Sequence, residues 1–346
     1  MKALVYRGAN HLAVEEYRDP RPGPDEAVLK VQACGICGTD LRIASGSHRA
    51  YPAGTVRVPG HEISGVIVEA PPGLNVRAGD VAFVAPNVGC GQCRPCLAGR
   101  VNLCIEPRAL GITEDGGMAE YVLLSEELIS QGNVLKVDVG LDPAALALVE
   151  PLACVLRGSK AVGIHVGDTV LICGAGPIGL LHLLVAQLRK PVTIVVSEPS
   201  AERRAQARAW GASRVVDPVN EDLTSVLSEE SEGRGFDVII VAAPSPQAQE
   251  QSVHLAAPAG RINFFGGLPS SNSHISLDTN PIHYKELILT GTTANSTIDC
   301  QEALGLVVSG AIDLAPLISQ RHPLSESQEA FEAARGGRSL KVVLEP

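Results

Sequence analysis

Up to about residue 140 the apolar positions fall into short runs bounded by Gly, Pro, Asn or Asp: "KALVYRG", "AVLKVQACG", "ISGVIVEA", "DVAFVAP" and "AEYVLL". Such punctuation predicts strands of three to seven residues, and a series of them predicts an all-β barrel or sandwich. From about residue 168 the rhythm changes. "DTVLICGAG" reads as a strand, "PIGLLHLLVAQLRK" as a helix, "VTIVVSE" as a strand and "SAERRAQARAWGA" as a helix, and "SRVVD", "DLTSVLSEES", "FDVIIVAA", "SPQAQEQSVHLAA" and "GRINFFGG" continue the alternation. Strands alternating with helices predict parallel β-α-β units in a doubly wound sheet. After about residue 287 two helical patterns, "CQEALGLVVSG" and "ESQEAFEAARGG", precede a last strand, "LKVVLE". That tail is too short for a domain, so it is expected to return to the first one. "DPAALALVEPLACVLRGSKAV" predicts a single bridging helix. The fold class is therefore α/β with a β-rich domain, residues 1–150 and 288–346 forming the first domain and 151–287 the second.

Composition narrows the function classes. A chain of 346 residues suits two domains, and with 45% apolar but only 3% aromatic residues its cores must rely on aliphatic packing. The formal charge of −10 argues against a nucleic-acid partner, which would need clustered Lys and Arg. The basic run "AERRAQAR" lies in a helical pattern and reads as a solvated face. No run of eighteen apolar residues occurs, so no membrane partner is expected. "MKALVYRGAN" enters a strand pattern at once and lacks the basic start and apolar core of a signal peptide. Nine cysteines, an odd number spread over the chain, are unlike a secreted disulfide framework, so a reducing cytoplasm is the expected compartment.

Thiols concentrate in "GCGQCRPCLAGRVNLC", where Cys90, Cys93, Cys96 and Cys104 fall within fifteen positions. Two-residue gaps with a fourth thiol nearby let one tetrahedral zinc ion collect all four; otherwise these are incidental loop thiols. A site filled by four thiolates has no open position and is structural. Chemistry must then lie elsewhere.

"GAGPIG" carries Gly174, Gly176 and Gly179 in G-x-G-x-x-G spacing, directly after an apolar strand and opening a helix, with Pro177 and Ile178 between. The first glycine permits the tight turn, the second lets a pyrophosphate approach the backbone, and the third lets helix and strand pack closely. The helix N-terminus supplies N–H groups to the phosphates. Glu198, nineteen residues beyond Gly179, ends the next strand, where an acid accepts hydrogen bonds from ribose hydroxyls and repels a 2′-phosphate. NAD is therefore favoured over NADP, although Arg203 and Arg204 stand close by.

Three further stretches offer metal ligands: "CGICGTD" with Cys34 and Cys37, "PGHEISG" with His61 and Glu62, and "LVEPLAC" with Glu150 and Cys154. Spacing alone leaves them open, because the two cysteines could be a redox pair and His61 an ordinary turn histidine. In their order along the chain, "CGICGTD", "GHEISGVIVEAPPG", the four-cysteine loop, "EPLAC" and "GAGPIG" resemble the zinc-containing medium-chain dehydrogenase/reductase family, over essentially the whole chain. "EPL" is most similar to the sorbitol dehydrogenase-like, or polyol, branch, since ordinary alcohol dehydrogenases carry cysteine at the Glu150 position. The resemblance implies a GroES-like first domain, a Rossmann second domain, two zinc ions per chain and a homotetramer or homodimer. It implies that Cys37, His61 and Glu62 bind a catalytic zinc, with Glu150 on the metal directly or through its water, and leaves Cys34 and Cys154 as packing. Thr39 resembles the hydroxyl that passes on the substrate proton, Arg203 a contact to the adenosine ribose, and Lys341 a cation on the pyrophosphate.

One departure stands out. Arg42 occupies the place where relatives often carry a relay histidine, and arginine does not give up its proton in a protein. His48, in the same loop, is either the substitute or an exposed loop residue. Together these features imply a zinc- and NAD-dependent oxidoreductase that oxidises a hydrophilic secondary alcohol, a polyol or sugar, to a ketone. The alternatives are L-threonine 3-dehydrogenase, whose branch tends to show Asp at the Glu150 position, and a redox-inactive NAD- and zinc-binding scaffold.

Overall fold

The computed structural model describes residues 1–138 and 140–346. Contacts divide the chain into two compact units, Met1–Ala153 with Ala294–Pro346, and Cys154–Thr293.

The first unit is built on a hairpin, Lys2–Gly8 with His11–Glu16, and a larger sheet. That sheet runs in the order Ile318–Pro323, Lys341–Glu345, Ala27–Gly35, Glu62–Glu69, Val81–Val84 and Val134–Lys136, with Tyr121–Leu124 also pairing with Ala27–Gly35. Apolar side chains of the unit, among them Leu4, Leu29, Ile63, Ile67, Val84, Met118, Leu124 and Leu344, form one buried core. The tail does return here: Lys341–Glu345 pairs antiparallel with Ala27–Gly35. Its neighbour Ile318–Pro323 escapes the sequence reading, because "ISQRHP" has almost no apolar positions and lies at a sheet edge.

In the second unit six parallel strands lie side by side in the order Arg214–Val216, Thr193–Ser197, Thr169–Cys173, Phe236–Val241, Ala256–Phe264 and Ile288–Gly291. "TVLIC" is buried at every position and "FDVIIV" nearly so, as expected for strands covered on both faces. The sixth strand, Ile288–Gly291, corrects the expected boundary at 287/288. It pairs with Ala256–Phe264, so the chain leaves this unit after Thr293. Four half-exposed residues at a sheet edge give no recognisable apolar period.

The expected single helix from Asp142 is two, Pro143–Ala147 and Val149–Val162. Asp142 caps the first through its side chain. Pro151 has no N–H to offer the carbonyl of Ala147, so the ladder breaks and restarts.

Candidate active site

Strand register places the candidate metal ligands. Gly35 lies opposite Glu62 on one neighbouring strand and Val343 on the other. A Cβ on Gly35 would stand 1.9 Å from Glu62 Oε2, so the glycine makes room for the carboxylate. Two residues later Cys37 is the N-cap of helix Gly38–Ala44, and His61 immediately precedes the strand that Glu62 begins. Cys37, His61 and Glu62 thereby bring one ligand atom each to within 4.8 Å of one another, with His61 and Glu62 buried and Cys37 partly so.

Two buried charged groups support this triad. Lys341 Nζ donates to Glu62 Oε1 at 2.6 Å and to the Ile36 carbonyl at 3.0 Å, and it stands 2.5 Å from Oε2. Burial alone would lower the lysine's pKa, but Glu62 and then Cys37 hold it above its usual value. Asp40 Oδ2 accepts the backbone N–H of Cys37 at 2.8 Å, while Oδ1 faces His61 Nδ1 at 3.7 Å. Burial pulls the imidazole pKa down, but Asp40 and Cys37 together keep it well above normal. Neither His61 Nδ1 nor Asp40 Oδ1 has a hydrogen-bond partner among the described residues, which is unusual for buried polar atoms. A metal on the other ring nitrogen would require the proton on Nδ1, where Asp40 is its natural acceptor. The mixed thiolate, imidazole and carboxylate set therefore fits zinc with a position to spare.

Glu150, in the first turn of Val149–Val162, is 5% exposed and lies outside the 4.8 Å group. Burial raises its pKa; His61, the Asn295 amide and Lys341 oppose that rise, while Glu62 adds to it. Asn295 Nδ2 donates to its Oε1 at 2.6 Å. Thr39, partly buried on the Cys37 helix, accepts a hydrogen bond from Arg42 at 3.1 Å. His48 is half-buried rather than exposed, with its ring edge-on to Tyr51 and its Nδ1 accepting the Ala50 N–H at 3.3 Å. Burial, then Arg42, Arg49 and His61, lower its pKa, so it is a neutral imidazole near neutral pH.

Cys90, Cys93, Cys96 and Cys104 form a second group within 4.8 Å. The sulfur atoms of Cys93 and Cys96 are 3.4 Å apart and those of Cys93 and Cys104 3.9 Å, too far for disulfides. Four sulfurs around zinc at about 2.3 Å would be separated by about 3.8 Å, so the spacing suits the ion. Backbone N–H groups of Cys90 and Glu106 point at Cys104 Sγ, and N–H groups of Cys96 and Ile105 push the Cys93 thiol down to about 6.

In the second unit Gly176 caps helix Pro177–Gln187, with Pro177 and Ile178 in its first turn. Gly174 has φ +106°, and a Cβ on Gly179 would stand 1.9 Å from the Gly174 carbonyl, so both require glycine. At Gly176 a Cβ would meet only the Arg203 guanidinium at an ordinary 3.7 Å. The protein leaves that space open, as a dinucleotide phosphate requires. Glu198 accepts the N–H of Ala175 at 2.8 Å and of Ser200 at 2.9 Å, so the carboxylate braces the glycine turn. Arg204 is committed to the carbonyls of Glu198 and Pro199 and to Asp217. Lys341, expected on the pyrophosphate, is placed in the first unit on Glu62.

The structure thus gathers Cys37, His61, Glu62 and Lys341 around one point and the four thiols around another. Sequence reasoning missed Asp40 and Asn295. "CGTD" held a signal for the first, since an acid three residues after an N-cap closes a capping box. No local pattern marks the second.

Known proteins resemble this chain in both units. Residues 23–134 match the alcohol dehydrogenase GroES-like domain and residues 177–309 the zinc-binding dehydrogenase model. An L-threonine 3-dehydrogenase of Pyrococcus furiosus is 34% identical, over 99% of this chain and 97% of its own. A sorbitol dehydrogenase of Halalkalibacterium halodurans is 30% identical, over 100% and 99%. A structure from Sinorhizobium meliloti 1021, described as a zinc-binding dehydrogenase bound to NADP, is 35% identical with a TM-score of 0.91 over 100% and 99% of the two chains. No helix among the described residues is long and apolar enough to cross a membrane.

Proposed function

Because the chain belongs to the zinc-containing medium-chain dehydrogenase/reductase family, and is an oxidoreductase, we propose that it oxidises a hydrophilic secondary alcohol to a ketone with NAD as hydride acceptor. The observation that carries the proposal is the convergence of Cys37, His61 and Glu62, with the Thr39 hydroxyl two residues from Cys37. When bound there, zinc would supply Lewis acidity to lower the pKa of a substrate hydroxyl, and the dinucleotide would supply the hydride acceptor.

The protein's own residues handle the proton. Thr39 Oγ1 accepts it on the lone pair that Arg42 leaves open and hands its own hydrogen onward. Arg42 only donates, so the onward acceptor is water or the neutral His48. The guanidinium favours the alkoxide by its charge. Lys341 offsets the Glu62 carboxylate, and Asp40 faces His61 Nδ1 as the natural acceptor of its proton. Glu198 excludes a 2′-phosphate by charge, and Arg203, whose guanidinium stands beside Gly176, is the candidate contact to the adenosine ribose.

A polyol or sugar is the first substrate class, supported by the sorbitol dehydrogenase relative. L-threonine is the second, supported by the P. furiosus relative and by Arg42, whose exposed guanidinium beside Thr39 suits a substrate carboxylate. We place the protein in the cytoplasm, as its free thiols suit a reducing compartment, and expect a homotetramer or homodimer by family resemblance. The test is NAD-dependent dehydrogenation over polyols, sugars, 3-hydroxy amino acids and simple alcohols, with Thr39→Val beside the wild type. One secondary alcohol class should stand out, and Thr39→Val should lower its turnover severely, by about 10²-fold or more. Unchanged turnover in Thr39→Val would show that the proton leaves another way, and no turnover of any secondary alcohol would refute the proposal.

A further inference from the structure

Glu150 is held by a chain of side-chain amides that the proposed chemistry does not use. Asn295, fully buried, donates Nδ2 to Glu150 Oε1 at 2.6 Å and to the Glu150 backbone carbonyl at 3.1 Å. Its own amide oxygen accepts from Asn87 Nδ2 at 2.9 Å and from the Cys300 thiol at 3.4 Å. Asn87 is fixed in turn, because its backbone carbonyl accepts from Asn133 Nδ2 at 2.7 Å, and Thr297 donates to Asn133 Oδ1 at 3.1 Å. All these residues belong to the first unit.

An amide donates only from nitrogen and accepts only at oxygen. With Asn87 and Cys300 both donating to its oxygen, the Asn295 amide must turn its nitrogen to Glu150. The far end of the chain reaches the thiol cluster. Asn87 begins the short strand Asn87–Val88, and Cys90 follows two residues after that strand. A Cβ on the intervening Gly89 would stand 2.5 Å from Cys96 Sγ, so strand and cluster are packed without slack.

We propose that Asn295 is a positioning residue that fixes the Glu150 carboxylate for the catalytic metal, and that Asn87 ties it to the four-cysteine loop. This rests on the reading of Glu150 as a carboxylate that serves that metal. A Glu150 freed from Asn295 would sample other rotamers and serve the metal only part of the time.

The test is a double-mutant cycle on the zinc-loaded enzyme with Asn295→Asp, Glu150→Ala and the pair, with Asn87→Ala as a fourth variant. Asn295→Asp keeps the size and the oxygen that receives Asn87 but withdraws the donor from Glu150. Outer-shell changes at metal sites cost about 10–100-fold in metal affinity or activity. Asn295→Asp should lower kcat by that factor with little change in KM, and should speed loss of the catalytic zinc to a chelator by about tenfold or more. Release of the four-cysteine zinc should not change. In the Glu150→Ala background the same substitution should change neither quantity by more than about twofold. Asn87→Ala should shift both in the same direction by less, and it carries the comparison if Asn295→Asp does not fold. Equal losses in both backgrounds would make Asn295 merely structural and overturn the inference. Silence of Asn295→Asp and Asn87→Ala beside a damaging Glu150→Ala would overturn the inference alone. A Glu150→Ala variant with normal turnover and normal zinc release would overturn the reading of Glu150 and the inference with it.

Discussion

Among single residues, His182 shows what folding tolerates away from the chemistry. It lies on the helix that the glycine turn opens, fully buried beside Leu180, Leu181 and Leu183. Its ring stands edge-on to Phe265 at 4.7 Å, and neither nitrogen has a hydrogen-bond partner among the described residues. Burial pushes its pKa down to about 3. In the unfolded chain an imidazole takes its proton near pH 6.5. Between those values the unfolded state binds a proton that the native state refuses, so native stability falls as pH drops from about 6.5 towards 3. The slope is about 1.4 kcal/mol per pH unit. Replacing His182 by Leu should remove that slope and leave stability at pH 7 equal or higher, because no buried polar nitrogen remains unpaired. Urea unfolding of both proteins at pH 7, 5.5 and 4.5 measures it; parallel losses on acidification would show that other groups govern acid stability.

At the scale of elements, the strand–turn–helix around "GAGPIG" was readable because each glycine answers a local need. Gly174 supplies a positive φ and Gly179 the close helix–strand approach. The position of Glu198 at the end of the next strand was readable too, but its hydrogen bonds to Ala175 and Ser200 were not, since they depend on how the turn folds back. They sharpen the expectation for Glu198→Gln. The amide keeps a single acceptor oxygen and turns its NH₂ towards one of two backbone donors. NAD should bind more weakly by about 10–100-fold, the cost of roughly 1.5–3 kcal/mol for a lost charged hydrogen bond, and the NADP-to-NAD affinity ratio should rise. Titration of both dinucleotides checks this, and a wild type that already prefers NADP would sink the ribose assignment. The same contrast runs through the chain. Strongly apolar strands were legible, whereas Ile288–Gly291 and Ile318–Pro323 were not, because edge strands need no apolar period. The grouping of Cys37, His61 and Glu62 was legible through ordered motifs. Asn295 was not, because its bond to Glu150 spans 145 residues and its bond to Asn87 spans 208.

In the whole molecule the two kinds of chemistry draw on separate stretches of chain. The metal triad, the four thiols, Lys341 and the Asn87–Asn295 chain all lie in Met1–Ala153 and Ala294–Pro346. The glycine turn, Glu198, Arg203 and the sole tryptophan, Trp210, lie in Cys154–Thr293. Damage to one set should therefore leave the other measurable. The wild type should carry two zinc ions per chain. His61→Ala should carry one and lose turnover, yet still bind NAD, because the glycine turn, Glu198 and Arg203 are left intact. Isothermal titration calorimetry measures that binding. Cys96→Ser should also carry one zinc, the catalytic ion, but should melt at a lower temperature, because a closed four-thiolate site contributes folding energy directly. The two variants separate the roles: one keeps its stability and loses chemistry, the other loses stability first. A single zinc in the wild type, or normal turnover in His61→Ala, would refute the metal assignment. A His61→Ala protein that folds and keeps one zinc but loses NAD affinity more than about tenfold would show that the dinucleotide also depends on the metal-binding unit.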